Sequence, residues 1–185
     1  MGFFRNGLLW VIMLFAINEV WADPSDTIIK ACSNALYRDF CISSLSKAPG
    51  ALEADLTQLS VIAVNLCIEE AKPVCDFIVD LRERNPNLSA LEDCMELLED
   101  TRDRLHDSES ELRQLSGANL MEYMSDVQTW LSAVETNQET CVTGLQETQA
   151  SETMVSTVKV KTDNLTMLIS DALAVVNKLG EQGHI

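Results

Sequence analysis

Glycine, proline and histidine are scarce in this chain. Its 185 residues hold seven glycines, four prolines and two histidines, and aromatic side chains make up only 5%. Each shortage excludes a class of chemistry. No glycine-rich loop is available to cradle a phosphate, and no Gly-x-Ser-x-Gly elbow is available to present a nucleophile. The histidines, His106 and His184, form no His-Glu-x-x-His pair, and no Cys-x-x-Cys occurs, so neither a metal nor a cofactor is expected. Both histidines read as surface residues. Carboxylates are plentiful, but nothing sets one apart as an acid or a base, and the chain is not expected to be an enzyme.

Positive charge is also short. Thirteen Lys and Arg stand against 29 Asp and Glu, a formal net charge of −16. That balance argues against nucleic acid and anionic lipid as partners. It favours a basic protein or a cationic surface, or serves solubility alone.

Long apolar runs are absent apart from one at the start. Arg5 gives a positive n-region, residues 8–17 are almost unbrokenly apolar, and Val20-Trp21-Ala22 ends on a small residue. The run is about half of the ~20 residues a membrane span needs. Residues 1–22 therefore read as a cleaved secretory signal peptide and residues 23–185 as one domain, with no membrane span. Export makes disulfides possible, and all six cysteines (32, 41, 67, 75, 94 and 141) fall within that domain. Counting leaves many connectivities open. Two sequons, Asn87-Leu88-Ser89 and Asn164-Leu165-Thr166, suit the same route and mark Asn87 and Asn164 as candidate glycosylation sites.

What is present is helical. Leu, Ala, Glu and Met are abundant, and the β-branched residues do not alternate with period two. In residues 26–47, Cys32 and Cys41 would lie roughly 13 Å apart on a straight helix, whereas a bridge needs Cα atoms within about 7 Å. Pairing them requires the chain to turn back near Tyr37-Arg38-Asp39, giving two short helices in a disulfide-closed hairpin. The break at Lys47-Ala48-Pro49-Gly50 follows.

Four long amphipathic helices come next. The first carries Leu52, Leu56, Leu59, Ile62, Leu66, Val74, Phe77 and Leu81, with a bend expected at Pro73. Cys67 and Cys75, eight residues apart on it, would be roughly 12 Å apart, so both read as buried free thiols. Ser89-Ala90-Leu91-Glu92 has the pattern of a capping box opening the second helix. Its Leu91, Cys94, Leu98, Thr101, Leu105, Ser108, Leu112 and Leu115 recur at alternating three- and four-residue steps. The third helix, from Leu120 to about Thr148, presents Leu120, Met124, Val127, Leu131, Val134, Cys141 and Leu145. The fourth presents Val155, Val158, Leu165, Ile169, Ala172, Val176 and Leu179, and Gly180 is expected to close it. Short connections force antiparallel neighbours, so the fold class is all-α: an up-down-up-down four-helix bundle with an N-terminal hairpin. A Cys94–Cys141 bridge would be consistent with that topology, because the start of one helix lies beside the end of the next.

Several segments together resemble the plant invertase/pectin methylesterase inhibitor family. They are Ala31-Cys32 to Phe40-Cys41 with Ser44-Leu45, the run Ala90-Leu91-Glu92-Asp93-Cys94-Met95-Glu96-Leu97-Leu98, the run Trp130-Leu131-Ser132-Ala133-Val134-Glu135-Thr136-Asn137-Gln138-Glu139-Thr140-Cys141, and Ser170-Asp171-Ala172-Leu173-Ala174-Val175-Val176. The wording of the third is similar to the inhibitor-like pro-regions of pectin methylesterases, here standing without a catalytic domain. The resemblance implies disulfides in sequence order, Cys32–Cys41 and Cys94–Cys141. It implies a secreted inhibitor in the apoplast and cell wall that occludes the cleft of pectin methylesterase in a 1:1 complex. A Pro-Lys-Phe motif found in invertase inhibitors of the family is missing from Ser116-Gly117-Ala118-Asn119-Leu120, which favours the methylesterase over acid invertase. The expected contact residues are Glu96, Glu99, Asp100 and Asp103 on the second helix, in a stripe that extends to Asp107, and Asn137, Gln138 and Thr140 on the third. Family members often carry an acid just after the Thr-Cys pair, where this chain has Val142-Thr143. The alternatives are an inhibitor of cell-wall or vacuolar acid invertase, a non-inhibitory pro-region-like bundle, and a carrier of a small apolar ligand among the methionines.

Overall fold

The computed structural model describes residues 25–148 and 150–182, so the signal-peptide expectation for residues 1–22 and the placement of His184 lie outside the described residues. Among the described residues every regular element is helical: α1 (Asp26–Ala31), α2 (Arg38–Lys47), α3 (Leu56–Arg84), α4 (Ser89–Arg113), α5 (Leu120–Glu147) and α6 (Glu152–Gln182), with 3₁₀ turns at Cys32–Asn34 and Ala51–Glu53. The four long helices close into a ring in which α3 packs on α4, α4 on α5, α5 on α6 and α6 back on α3. Short connections at 85–88, 114–119 and 148–151 make every neighbour antiparallel.

The core follows the sequence periodicity. Leu91, Leu98, Leu105 and Leu112 of α4 are buried, as are Val127, Leu131, Val134 and Leu145 of α5 and Val158, Leu165, Ile169, Ala172 and Val176 of α6. Each fully buried aliphatic side chain contributes about 1.5–3 kcal/mol relative to exposure. The α1–α2 hairpin buries Ile28, Ala31, Cys41 and Leu45 against α3 and α6. Cys32 and Cys41 are bridged within it, with Cα atoms 5.9 Å apart. Gly50 takes φ +78°, a left-handed conformation that suits glycine and reverses the chain after α2.

Four local expectations need correction. Leu52 does not begin the first long helix. It sits exposed in the 3₁₀ turn, because Asp55 caps α3: its carboxylate accepts from Gln58 N–H at 2.8 Å while the Gln58 side chain accepts from Asp55 N–H at 2.9 Å. The Ser89–Glu92 capping box does not form. Leu88 occupies the N-cap position, Ser89 is already helical, and Glu92 pairs instead with Arg82 of α3 at 2.7 Å. Gly180 does not close α6, which continues to Gln182. A Cβ there would meet Met124 Cε at 3.4 Å, ordinary contact, so α5 packs against this stretch of α6 without requiring a glycine. Cys75 is only partly buried, whereas Cys67 is fully buried. α3 itself runs unbroken through Pro73.

Cys67 donates to the Ala63 carbonyl at 3.3 Å, and burial pushes its thiol far up from the usual range. Burial also raises the Cys75 thiol, opposed in part by Arg102. In unreduced protein a thiol reagent is therefore expected to titrate two groups. Cys75 should react slowly with native protein, and Cys67 only after denaturant is added. Reaction of neither thiol under denaturing conditions would show that the two are bridged.

Candidate functional site

The α4–α5 pair is held in register by covalent and polar contacts. Cys94 and Cys141 are bridged with Cα atoms 4.7 Å apart. Closing a loop with sequence separation 47 stabilises by roughly 4 kcal/mol in the chain-entropy model. Below the bridge, Asn137 Nδ2 donates to the Leu97 carbonyl at 3.2 Å, to Asp100 Oδ2 at 2.9 Å and to Thr101 Oγ1 at 3.3 Å. Gln138 Nε2 also donates to Thr101 Oγ1, at 3.2 Å. A covalent tie and a layer of polar contacts thus fix how the outer faces of the two helices sit beside each other.

Gln138 is not on that outer face. Its side chain is 2% exposed, and its Oε1 has no hydrogen-bond partner. It continues the buried series Val134, Gln138, Cys141, Leu145, and so belongs to the core rather than to a contact surface. The sequence carried a sign of this: the apolar series jumps seven residues from Val134 to Cys141, and a helix seam cannot skip two turns. Asn137 is half-buried and engaged with α4, so it positions the face more than it presents itself.

The acidic residues of α4 do share one face. Glu96, Glu99, Asp103 and Asp107 are exposed and Asp100 is half-buried at the α5 edge. The Arg104 guanidinium, donating to Asp100 at 2.6 Å, holds that carboxyl below the usual carboxylate range, and the Asn137 amide helps. Asp100 therefore stays ionised in weak acid, and its contribution to stability is present above pH ~4 and lost as pH falls further. Glu99 lies at the opposite edge, where it acts on Cys75 of α3. His106 is exposed beside the stripe.

Glu96, Asp100 and Thr140 meet in a groove of about 440 Å³ between α4 and α5. Ala90, Asp93 and Gly144 line it too, and none of them is among the contact residues expected from the sequence. A Cβ at Gly144 would meet nothing within 4 Å, so the glycine leaves the groove open without being demanded by packing. Thr140 Oγ1 donates to the Thr136 carbonyl at 2.9 Å and keeps acceptor capacity towards the groove. A larger hollow of about 640 Å³, between the start of α3 and the end of α4, contains none of the expected contact residues. No cluster of three or more His, Cys, Asp or Glu suited to a metal occurs among the described residues. No helix there is long and apolar enough to cross a membrane. The arrangement offers shape and negative charge on a rigid face.

Comparison with known proteins gives a family and a fold. The family model for plant invertase/pectin methylesterase inhibitor matches residues 26–175. The chain is 30% identical over 177 residues to pectinesterase inhibitor 9 of Arabidopsis thaliana, covering 89% of this chain and 85% of that one. It is also 30% identical over 171 residues to pectinesterase 1 of the same plant, but spans only 28% of that longer protein. In fold it matches the crystal structure of a mutant form of a pectin methylesterase inhibitor from Arabidopsis with TM-score 0.61 and 17% identity, covering 79% of this chain and 92% of that one.

Two substitutions test how the face is built. Asn137→Ala removes the donor that ties α5 to Leu97, Asp100 and Thr101, and should lower unfolding free energy by about 1–2 kcal/mol. Gly144→Ala should raise it by up to ~1 kcal/mol, because a helical glycine is replaced in open space. Urea unfolding of the two variants checks both signs.

Proposed function

The chain belongs to the plant invertase/pectin methylesterase inhibitor family, and on that premise we propose that it is a secreted inhibitor that binds pectin methylesterase through the α4–α5 face and blocks its substrate cleft. It is not an enzyme. The observation that carries the reading is the groove beside the Cys94–Cys141 bridge, where Glu96, Asp100 and Thr140 converge on a surface that the bridge and Asn137 hold rigid. A preorganised face loses little conformational freedom on binding, and its carboxylates supply complementarity to a basic rim on the enzyme. One such face per chain gives a 1:1 complex. The loop between α4 and α5 lacks the Pro-Lys-Phe motif, which favours methylesterase over acid invertase as the target.

The signal-peptide reading of residues 1–22 supports secretion, which would deliver the protein to the apoplast and cell wall. Of the two sequons, Asn87 is exposed in the turn before α4, while Asn164 is half-buried in the middle of α6. Asn87 is the better-placed glycan acceptor.

Titration of purified protein against a pectin methylesterase and an acid invertase separates the readings. Loss of methylesterase activity alone is expected; loss of invertase activity alone would transfer the proposal to that enzyme, and loss of neither would sink it. Replacing Glu96 and Asp103 together by lysine should slow association by about tenfold at low salt. The same double variant should unfold within ~0.5 kcal/mol of the parent, since both side chains are exposed. Raising salt should weaken the parent complex and narrow the gap between the two.

A further inference from the structure

Among the described residues one acidic side chain, outside the proposed contact face, is buried as a whole. Asp171, on the flank of α6 that faces α3 and the hairpin, is 4% exposed, and neither of its oxygens has a hydrogen-bond partner. Ser60 donates to the Leu56 carbonyl, Ser108 to the Arg104 carbonyl and Thr162 to the Lys159 carbonyl, whereas Ser46 Oγ, Glu111 Oε2 and Gln138 Oε1 are, like Asp171, without a partner. Asp171 differs from these in being buried as a whole and able to carry a charge, with the Tyr37 N–H as the donor nearby.

The groups around it come from two other elements. From α3 the Cys67 thiol faces it, close enough that the Asp171 charge raises the thiol further. From the hairpin, the Tyr37 N–H leans towards it and favours the ionised form. Lys30 of α1 and Lys178, further along α6, line a groove between the hairpin and the start of α3, and Lys178 is engaged with Glu181 at 2.6 Å. Burial prevails over the Tyr37 N–H and pushes the Asp171 carboxyl up to about 7. A neutral carboxyl can stay in such a place, but an unpaired charge there costs several kcal/mol.

The hairpin is also the lightest attachment in the fold. α1 has six residues and buries Ile28 and Ala31, α2 buries Cys41 and Leu45, and the turn leaves Leu36 76% exposed. The Cys32–Cys41 bridge keeps it intact as a unit, so it can lift without unravelling. It sits at the end of the bundle formed by the start of α3 and the end of α6, away from the α4–α5 groove near Cys94.

We propose that Asp171 is a proton-operated latch for the N-terminal hairpin: the protonated carboxyl leaves the hairpin seated on α3 and α6, and ionisation lifts it by drawing water to the buried charge. The direction follows from linkage. The seated state holds a proton that the lifted state, with an ordinary carboxyl, releases. Seating is therefore strongest in acid, weakens as pH rises above the ordinary value of 3.8, and stops weakening beyond about 7. The inference concerns the hairpin alone and stands whichever enzyme the bundle binds.

Hydrogen exchange of the amides in residues 26–47, corrected for the intrinsic pH dependence, measures the opening. Between pH 5 and pH 8 the opening constant of the native protein should rise by roughly ten- to a hundredfold. Asp171→Asn, nearly the same in shape and always neutral, should abolish that rise. A flat profile in the native protein, or an equal rise in the variant, overturns the latch. Should the variant fold poorly, the carboxyl carbon shift of Asp171 in the native protein decides the matter. Titration near 7 supports the latch, and titration near the ordinary carboxyl value of about 4 overturns it.

Discussion

The bridge between Cys94 and Cys141 is the contact from which the rest of the arrangement follows. It joins the beginning of α4 to the end of α5, and only an antiparallel pair can place those two points 4.7 Å apart between Cα atoms. With that point fixed, Asn137 falls opposite Leu97 and Asp100, and Gln138 opposite Thr101. The buried leucines of α4 then face a continuous row on α5. α3 and α6 complete the ring by packing on α4 and α5 and on each other. The same contact that orders the core also fixes the outer face, because a helix pair locked in register cannot rotate its exposed carboxylates away from the groove.

On the proposed reading, that coupling lets the protein act on an enzyme by surface alone. It needs no pKa tuning and no nucleophile, only a surface whose shape and charge persist on binding. Asp100 is ionised and clamped by Arg104 and Asn137, Glu96 and Thr140 border the groove, and Gly144 leaves it open. The hairpin lies at the other end of the bundle, where Asp171 sits among apolar neighbours. The two ends thus answer to different physics. One depends on long-range charge and salt, the other on the protonation of a single buried group.

Much of this was legible in the residues. The three- and four-residue steps from Leu91 to Leu112 mark a seam, and the residues on it are buried as one. The spacing of Cys32 and Cys41 demanded a reversal, and the chain reverses there. What stayed hidden was decided by tertiary contacts. Gln138 looks like surface because its side chain is polar, yet the gap between Val134 and Cys141 belongs to it. Gly180 looks like a terminator, but Met124 of α5 comes close to it, and α6 continues past it. Ser89 and Glu92 match a capping pattern, while Arg82 on the preceding helix draws Glu92 away. Asp171 gave no signal at all: an acid among Leu168, Ala172 and Val175 is ordinary on a helix until α3 and the hairpin cover it.

In the proposed complex the α4–α5 face contacts the enzyme. Carbodiimide labelling of exposed carboxyls, read by mass spectrometry with and without a saturating pectin methylesterase, addresses it directly. Glu96, Glu99 and Asp103 should lose reactivity in the mixture, while acids elsewhere, such as the half-exposed Asp80 on α3 and the exposed Asp163 on α6, keep theirs. Protection centred on Asp80 and Asp163, with Glu96 and Asp103 still reactive, would contradict it.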